Sequence, residues 1–162
     1  MSKITNRFLQ EAEKKKLQFS SKVVERNLKD KDGNEVPHEQ LILQTALRVD
    51  EEKVVPCSLF IHDTDEMDYV NYQITYNRIG LVTDRNKLSD ILEGINEFNL
   101  MKTGYYHFAI SPDGELQMRN LGILGDDPIP TINTFMHGGR ILRALMPELE
   151  KIEGLDLSNN LN

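Results

Sequence analysis

The segment that decides the fold is residues 70–77, which read Val-Asn-Tyr-Gln-Ile-Thr-Tyr-Asn. Every second side chain is apolar or aromatic and the others are polar, which is the period of a β-strand with one buried face. The same alternation occurs in residues 41–50 and 54–62, and it begins near Phe19. Short polar connections, one of them containing Gly33, separate these runs. We therefore expect a meander of four antiparallel strands with one face in water.

Helical periodicity lies on both sides of this meander. Residues 3–18 carry an apolar stripe with supporting charge pairs, and residues 88–98 repeat apolar side chains at steps of three and four. Between the second helix and the chain's last helical stripe, the turn at residues 111–114, Ser-Pro-Asp-Gly, predicts a hairpin of two further strands.

A last helix is predicted after residue 130. Thr131 is the expected N-cap, and Pro147 is expected to kink or interrupt the helix. Gly138 and Gly139 lack side chains where the helix would approach the sheet closely.

The predicted order is therefore α-β-β-β-β-α-β-β-α. Helices packed on an antiparallel sheet of about five to six strands satisfy both periodicities, which defines an α+β fold. We expect one domain over residues 1–157 and a flexible polar tail at residues 158–162.

Composition excludes several classes of protein. The chain has 162 residues, a net charge of -7 and a single cysteine, Cys57. One cysteine excludes an intramolecular disulfide, an all-cysteine zinc site and a Cys-x-x-Cys redox centre, so a cytoplasmic location is expected. The negative charge repels nucleic acid, and no run approaches the roughly 18 apolar residues of a membrane span. We expect neither a nucleic-acid nor a membrane partner.

The densest group of possible metal ligands begins at the end of the strand predicted at residues 54–62. It consists of His62, Asp63, Asp65, Glu66 and Asp68. Imidazole and carboxylate groups bind divalent ions, but such a run is more typical of an acidic solvated loop. Metal binding at this segment is the alternative that the sequence leaves open.

Other candidate sites have simpler interpretations. Asp30, Asp32 and Asn34 are spaced as in a calcium loop, but a glycine stands at the fourth position, so a polar hairpin turn is favoured. His137 begins a His-Gly-Gly sequence inside a helical stripe and no Gly-x-Ser-x-Gly segment accompanies it.

The other potentially reactive side chains also have structural interpretations. Cys57 alternates with apolar neighbours and is expected to be a buried thiol. His38 and His107 have no partner at a catalytic spacing. No residue is therefore assigned as catalytic, cofactor-binding or metal-ligating, and no cofactor is expected.

Three stretches carry a resemblance to a known family. They are LSDILEGINEFN at residues 88–99, YHFAISPDGELQM at 106–118 and INTFMHGGRILRALMP at 132–147. Together they resemble the YbjN-like, bacterial sensory transduction regulator proteins, which have a type III secretion chaperone-like fold. The resemblance covers residues 70–152, and it extends to the first half by the order of elements. It implies a compact, often dimeric domain that binds protein partners without a known catalytic centre.

The sequence thus predicts a non-enzymatic, protein-binding domain of regulatory or chaperone-like function, forming a homodimer. A client strand would add at a sheet edge, or apolar anchors would enter grooves. The tyrosines are the candidate interface anchors, although core packing is favoured for three of them, Tyr72, Tyr76 and Tyr106. The other two are Tyr69 and Tyr105. The alternative function is a small metal- or ligand-binding enzyme that uses the acidic segment after His62.

Overall fold

Strands and helices form where the two periodicities predict them. The computed structural model describes residues 1–158. Its elements are α1 (Lys3–Lys14), β1 (Ser20–Lys29), β2 (Glu35–Arg48), β3 (Val54–His62), β4 (Val70–Val82), α2 (Leu88–Met101), β5 (His107–Ile110), β6 (Glu115–Leu124), α3 (Ile129–Leu149) and β7 (Leu155–Asp156). The predicted α+β class and the predicted order of elements are confirmed.

One antiparallel sheet contains the seven strands of the described residues. Its strand order is β1-β2-β3-β4-β6-β5, and β7 pairs with β4. The two-residue strand β7 was not predicted, because so short a segment carries no measurable alternation. The strand β1 lies at one end of this order, which leaves it with a single neighbour.

Residues 1–45, 58–74 and 121–133 form one compact unit. Its core contains Phe8 from α1 together with Leu43 and Ile74 from the strands, all of which are fully buried. The helix α1 begins after Ser2, whose Oγ accepts a hydrogen bond from the Thr5 N–H at 3.2 Å. This N-cap and the buried apolar stripe together fix the helix.

The second compact unit contains Ala46–Cys57, Thr75–Asn120 and the described residues from Thr134 onward. Within it, the rings of Phe98 and Phe108 meet edge to face with centroids 6.1 Å apart. The Asn99 side chain completes this junction by accepting from the Phe108 N–H at 2.6 Å and donating to the Phe108 carbonyl at 3.0 Å.

The close approach predicted at Gly138 and Gly139 is confirmed. A Cβ at Gly138 would lie only 2.4 Å from the Tyr106 ring and 2.9 Å from the Tyr76 ring. At Gly139 it would meet Leu47 at 3.2 Å. Hydrogen bonds hold both rings beneath α3, because the Tyr106 hydroxyl donates to the Thr134 carbonyl and the Tyr76 hydroxyl to that of Phe135.

The predicted N-cap of the last helix is wrong. The helix α3 begins at Ile129, whose N–H donates to the Asp127 carboxylate at 3.0 Å, and the buried Thr131 lies inside the helix. The Asp127 carboxylate satisfies the Ile129 N–H, and Pro128 has no N–H that would need an acceptor. Asp127 and Pro128 together therefore start the helix before Thr131. The helix also continues past Pro147 to Leu149, so the predicted interruption at this proline does not occur.

Two further features concern the ends and turns of the chain. The predicted turn before β6 is confirmed: the Gly114 N–H donates to the Ser111 carbonyl at 2.8 Å, and Gly114 takes a φ of 85° that favours glycine.

Of the predicted tail, only Ser158 lies within the described residues, and it donates to the Asp156 carboxylate. Residues 159–162 lie outside the described residues. None of the helices in the described part of the chain combines the length and apolarity needed to cross a bilayer.

Candidate functional site

The strand β1 is an open edge of the sheet. All ten of its residues pair with β2, from Ser20 opposite Gln44 to Lys29 opposite Glu35, and within residues 1–158 it has no second strand neighbour. Nine of its side chains are exposed, and only Val24 is half-buried. Val23 is 51% exposed and Leu28 is 46% exposed, so even the apolar side chains of this strand remain in water.

The hydrogen bond that closes the hairpin fixes which backbone groups face outward. The Asp30 N–H donates to the Asn34 carbonyl at 2.9 Å, just beyond the pair formed by Lys29 and Glu35. In an antiparallel pair the direction of the backbone groups alternates, so the even-numbered residues of β1 bond to β2. The odd-numbered residues direct their N–H and carbonyl groups to the free edge. They are Ser21, Val23, Glu25, Asn27 and Lys29.

The Asp30 carboxylate stabilises the hairpin turn by accepting hydrogen bonds. Its Oδ1 accepts from the N–H groups of Asp32 and Asn34, both at 2.8 Å, and Gly33 adopts a φ of 84°. The hydrogen bond from the Asn34 side chain is the main reason that the pKa of Asp30 is lowered. The interpretation of this segment as a polar turn is therefore confirmed, and the turn fixes the register of the strands on either side.

The two faces of the hairpin carry opposite charges. Even-numbered residues of β1 lie on one face with the even-numbered residues of β2, because residues directly opposite each other share a face. We call this the cationic face, since its charged or ionisable side chains are Lys22, Arg26 and His38. The opposite face carries three carboxylates and one lysine. These are Glu25, Glu35, Glu39 and Lys29.

Side chains of like character lie directly opposite each other on both faces. Arg26 is opposite His38 on the cationic face, and Glu25 is opposite Glu39 on the other. Like charges directly opposite each other destabilise an antiparallel sheet, which applies to the two glutamates and, when the imidazole is protonated, to Arg26 and His38. Because Glu25, Arg26 and Glu39 are exposed, packing does not require these residue types.

His62 extends the cationic face to the third strand. Its pKa is lowered by burial and, to a smaller extent, by the positive charges of Arg26 and His38. Beside the two histidines lies a groove of about 370 Å³. Its other lining residues are Leu28, Glu39, Asp63, Thr64, Glu66, Met67, Tyr69, Val70 and Asn71. The proximity of three basic side chains from three strands is the feature that sequence reasoning missed.

The segment proposed as a metal site is divided by the structure. His62, Asp63 and Glu66 line the groove, whereas Asp65 and Asp68 line a separate cavity near the start of α1. Among residues 1–158, no three His, Cys, Asp or Glu side chains are arranged to hold a metal ion. The sequence alone could not separate these residues, because their spacing along a loop does not reveal which way each one points.

Asp63 stabilises the N-terminus of α1 by accepting hydrogen bonds. Its carboxylate accepts from the Ser2 N–H at 2.9 and 3.1 Å and from the Thr5 hydroxyl at 2.6 Å. Burial by itself would raise the pKa of Asp63, but these hydrogen bonds hold it below its ordinary value. This carboxylate is therefore a structural acceptor.

The remaining candidate residues occupy structural positions. Cys57 is 1% exposed, so the prediction of a buried thiol is confirmed, and burial raises the pKa of this thiol to about 12. His107 lies on β5, and burial, with a smaller contribution from Arg119, lowers its pKa. His137 is exposed on α3, beside the close contact of Gly138.

The tyrosines divide as predicted. Tyr72, Tyr76 and Tyr106 belong to the core. Tyr69 is 40% exposed and lines the groove beside His62, and Tyr105 is 83% exposed. Tyr69 is thus the one predicted interface anchor that lies beside the cationic face.

Comparison with known proteins assigns no relative. No family model matches the chain, and no curated protein matches it. The resemblance to YbjN-like proteins therefore stays a prediction, and the function has to be argued from the geometry of the site.

Proposed function

We propose that this protein is a non-enzymatic binding domain, regulatory or chaperone-like, that accepts an extended segment of a partner protein as an additional strand beside β1. The observation that carries the proposal is the outward row of backbone groups along this exposed strand. Five residues supply these groups, from Ser21 to Lys29. In strand addition, main-chain hydrogen bonds supply affinity and the alternate side chains supply specificity.

The size of this edge supports the proposal. A backbone hydrogen bond contributes about 0.5–1.5 kcal/mol net, so several of them together give a useful but reversible affinity. Proteins commonly protect free edges by making them short or by covering them. Here the edge strand has ten residues, nine of which are exposed, and only its charged side chains discourage indiscriminate pairing.

Two expectations from the sequence belong to the same proposal. A homodimer and the chaperone-like role remain predictions, and light scattering at high protein concentration tests the first of them. A monomer mass under those conditions would contradict the homodimer without affecting strand addition to β1.

The direct test blocks one outward amide. In Val23→Pro, the lost N–H is one that faces the free edge, so the ladder with β2 stays intact. Val23→Thr keeps the N–H and the branched side chain and serves as the matched control. Val24→Pro removes an inward N–H and is expected to destabilise the hairpin.

Random ten-residue peptides displayed on phage provide the ligands. We expect selection on the wild-type chain to enrich peptides that still bind Val23→Thr and lose binding to Val23→Pro. Circular dichroism and thermal unfolding verify that the two variants are folded. If every enriched peptide binds Val23→Pro as well as the wild-type chain, the proposed function is wrong.

A further inference from the structure

We infer that the strand accepted by β1 is an acidic segment of a partner protein, with its carboxylates over the cationic face formed by Lys22, Arg26, His38 and His62. This inference rests on the proposed function, because it assigns the chemistry of the partner at the same edge. It is carried by the distribution of charge along the hairpin and by the register of its strands.

The charge of β1 is opposite to that of the whole chain. The protein has a net charge of -7, yet β1 carries three cations, Lys22, Arg26 and Lys29, against the single carboxylate of Glu25. A strand that adds here meets positive charge on its immediate neighbour. Acidic side chains on the partner complement this edge, whereas basic ones are repelled.

The opposed pair of Arg26 and His38 favours the same ligand. Two basic side chains directly opposite each other lower the stability of the hairpin when the imidazole is protonated, and the exposed Arg26 is not required for packing. A partner carboxylate beside Arg26 offsets this repulsion. When His38 is protonated, a pair that is unfavourable in the free protein thus becomes a favourable group of three charges in the complex.

The spacing on β1 predicts a pattern in the partner. Lys22 and Arg26 are four residues apart on one face, which is about 13 Å along a strand. Val24 lies between them on the same face. A matching strand therefore carries two acidic residues four positions apart and an apolar residue midway, so that each carboxylate faces a cation and the apolar side chain faces Val24.

Three of the central registers disfavour a second copy of this chain at this edge. Antiparallel pairing of two β1 strands about Glu25 places two carboxylates opposite each other, and pairing about Arg26 does the same with two guanidinium groups. Pairing about Val24 places Lys22 opposite Arg26 twice. These three registers bring like charges together, which is unfavourable in a sheet, whereas pairing about Val23 does not.

His62 makes the binding depend on pH. Arg26 from β1 and His38 from β2 are the basic groups that act on His62, and Glu39, Asp63 and Glu66 are the carboxylates lining the adjacent groove. Asp63 is already held by Ser2 and Thr5. A partner carboxylate that approaches this cluster favours the protonated form of His62, so affinity rises as the pH falls from 8 to 6.

The test uses two fluorescein-labelled peptides of nine residues. Both alternate apolar and polar positions, and they carry either Glu or Lys at two sites four residues apart on the same face. Fluorescence anisotropy at low salt measures their affinity for the wild-type chain. We expect the Glu peptide to bind about tenfold more tightly than the Lys peptide, and to gain about threefold between pH 8 and pH 6.

Charge reversal gives the decisive comparison. The double variant Lys22→Glu with Arg26→Glu is expected to prefer the Lys peptide. Arg140→Glu with Lys151→Glu changes the net charge by the same amount at exposed positions outside the hairpin, and it is expected to keep the preference of the wild-type chain. High salt is expected to abolish the difference between the peptides.

Three results would overturn the inference. Equal binding of the two peptides, or no binding of the Glu peptide at millimolar concentration, excludes selection for acidic segments. A homodimer that is lost in Val23→Pro shows that the edge takes a second copy. The phage selection separates these failures from failure of the proposed function, because neutral or basic peptides that depend on the Val23 N–H would leave strand addition in place.

Discussion

Arg26 on β1 lies directly opposite His38 on β2, and the two side chains share one face of an exposed hairpin. If their repulsion lowers stability, reversing the charge at position 38 has a measurable effect. We expect His38→Glu to be more stable than His38→Gln by roughly 0.2–1 kcal/mol, because the new carboxylate faces the guanidinium group. Urea unfolding measures both free energies.

A double-mutant cycle attributes this gain to the pair. In a chain that also carries Arg26→Gln, the difference between Glu and Gln at position 38 should disappear. If the difference persists there, it arises from strand propensity or from another charge. The His38→Glu variant should also bind the Glu peptide more weakly than the wild-type chain, since it places a carboxylate on the cationic face.

The second prediction concerns the pH dependence of stability at His62. Burial, together with Arg26 and His38, lowers the pKa of His62 in the folded chain. The unfolded chain therefore binds more protons between that lowered value and the ordinary value of histidine. Stability is highest above the ordinary value and falls as the pH decreases through this window. Urea unfolding between pH 7.5 and 5.5 should show the decrease.

The contribution of His62 can be separated from that of His107. Burial also lowers the pKa of His107, so both side chains contribute in the same direction. We expect a shallower dependence in His62→Gln and the shallowest in the double variant with His107→Gln. An unchanged slope in the double variant would show that neither imidazole is coupled to folding.

The fold and the candidate site differ in how much the sequence reveals. The alternation from Val70 to Tyr76 and the apolar stripe of α3 are local patterns, and they predict the elements in the correct order. The position of Thr131 illustrates the limit of local reasoning, because two acceptable caps compete and the earlier one, beside Pro128, begins the helix. Small differences between neighbouring caps are not resolved by pattern.

The pairing of Arg26 with His38 can be deduced from the sequence. Once the turn places Asp30 beside Asn34, moving four residues away from the turn along each strand leads to Arg26 and His38, which are therefore opposite each other. Without this register, His38 has no partner at a catalytic spacing in the sequence. The approach of His62 is different, because it depends on how β3 lies beside β2, and no short turn signal fixes that.

The third prediction tests the contact between α3 and the tyrosine rings. Gly138→Ala adds a methyl group that would lie 2.4 Å from Tyr106, whose hydroxyl is held by the Thr134 carbonyl. The gain in helix propensity is about 1 kcal/mol, but overpacking at a fixed ring costs more. We expect a net loss of about 1–3 kcal/mol in the free energy of unfolding.

Gly139→Ala is the matched control for this contact. Its Cβ would meet the flexible end of Leu47 at 3.2 Å, so a small shift accommodates it. We expect a change of less than about 0.5 kcal/mol, since propensity and packing nearly cancel. If the two alanine variants are equally stable, the rings are free to move away from the helix.

The fourth prediction concerns Asp63, the residue of the acidic segment that is most involved in structure. Its carboxylate accepts from Ser2 and Thr5 and lies 3.7 Å from the N-terminal ammonium group, so it stabilises the beginning of α1. Asp63→Asn keeps the shape and removes the charge, and we expect a loss of about 1–2 kcal/mol. Asp65→Asn, at an exposed position of the same loop, should change stability little.

The pH dependence separates this structural role from a general effect of charge. The pKa of Asp63 is below its ordinary value in the folded chain, so its stabilisation is present above that ordinary value and is lost as the pH falls through the lowered one. The difference in free energy of unfolding between the wild-type chain and Asp63→Asn should therefore be constant near neutral pH and shrink in acid.

Because the Asp63 carboxylate is hydrogen-bonded to the start of α1, zinc, manganese and calcium should leave the unfolding temperature unchanged. A rise with any of these ions that Asp63→Asn abolishes would instead identify the carboxylate as a metal ligand.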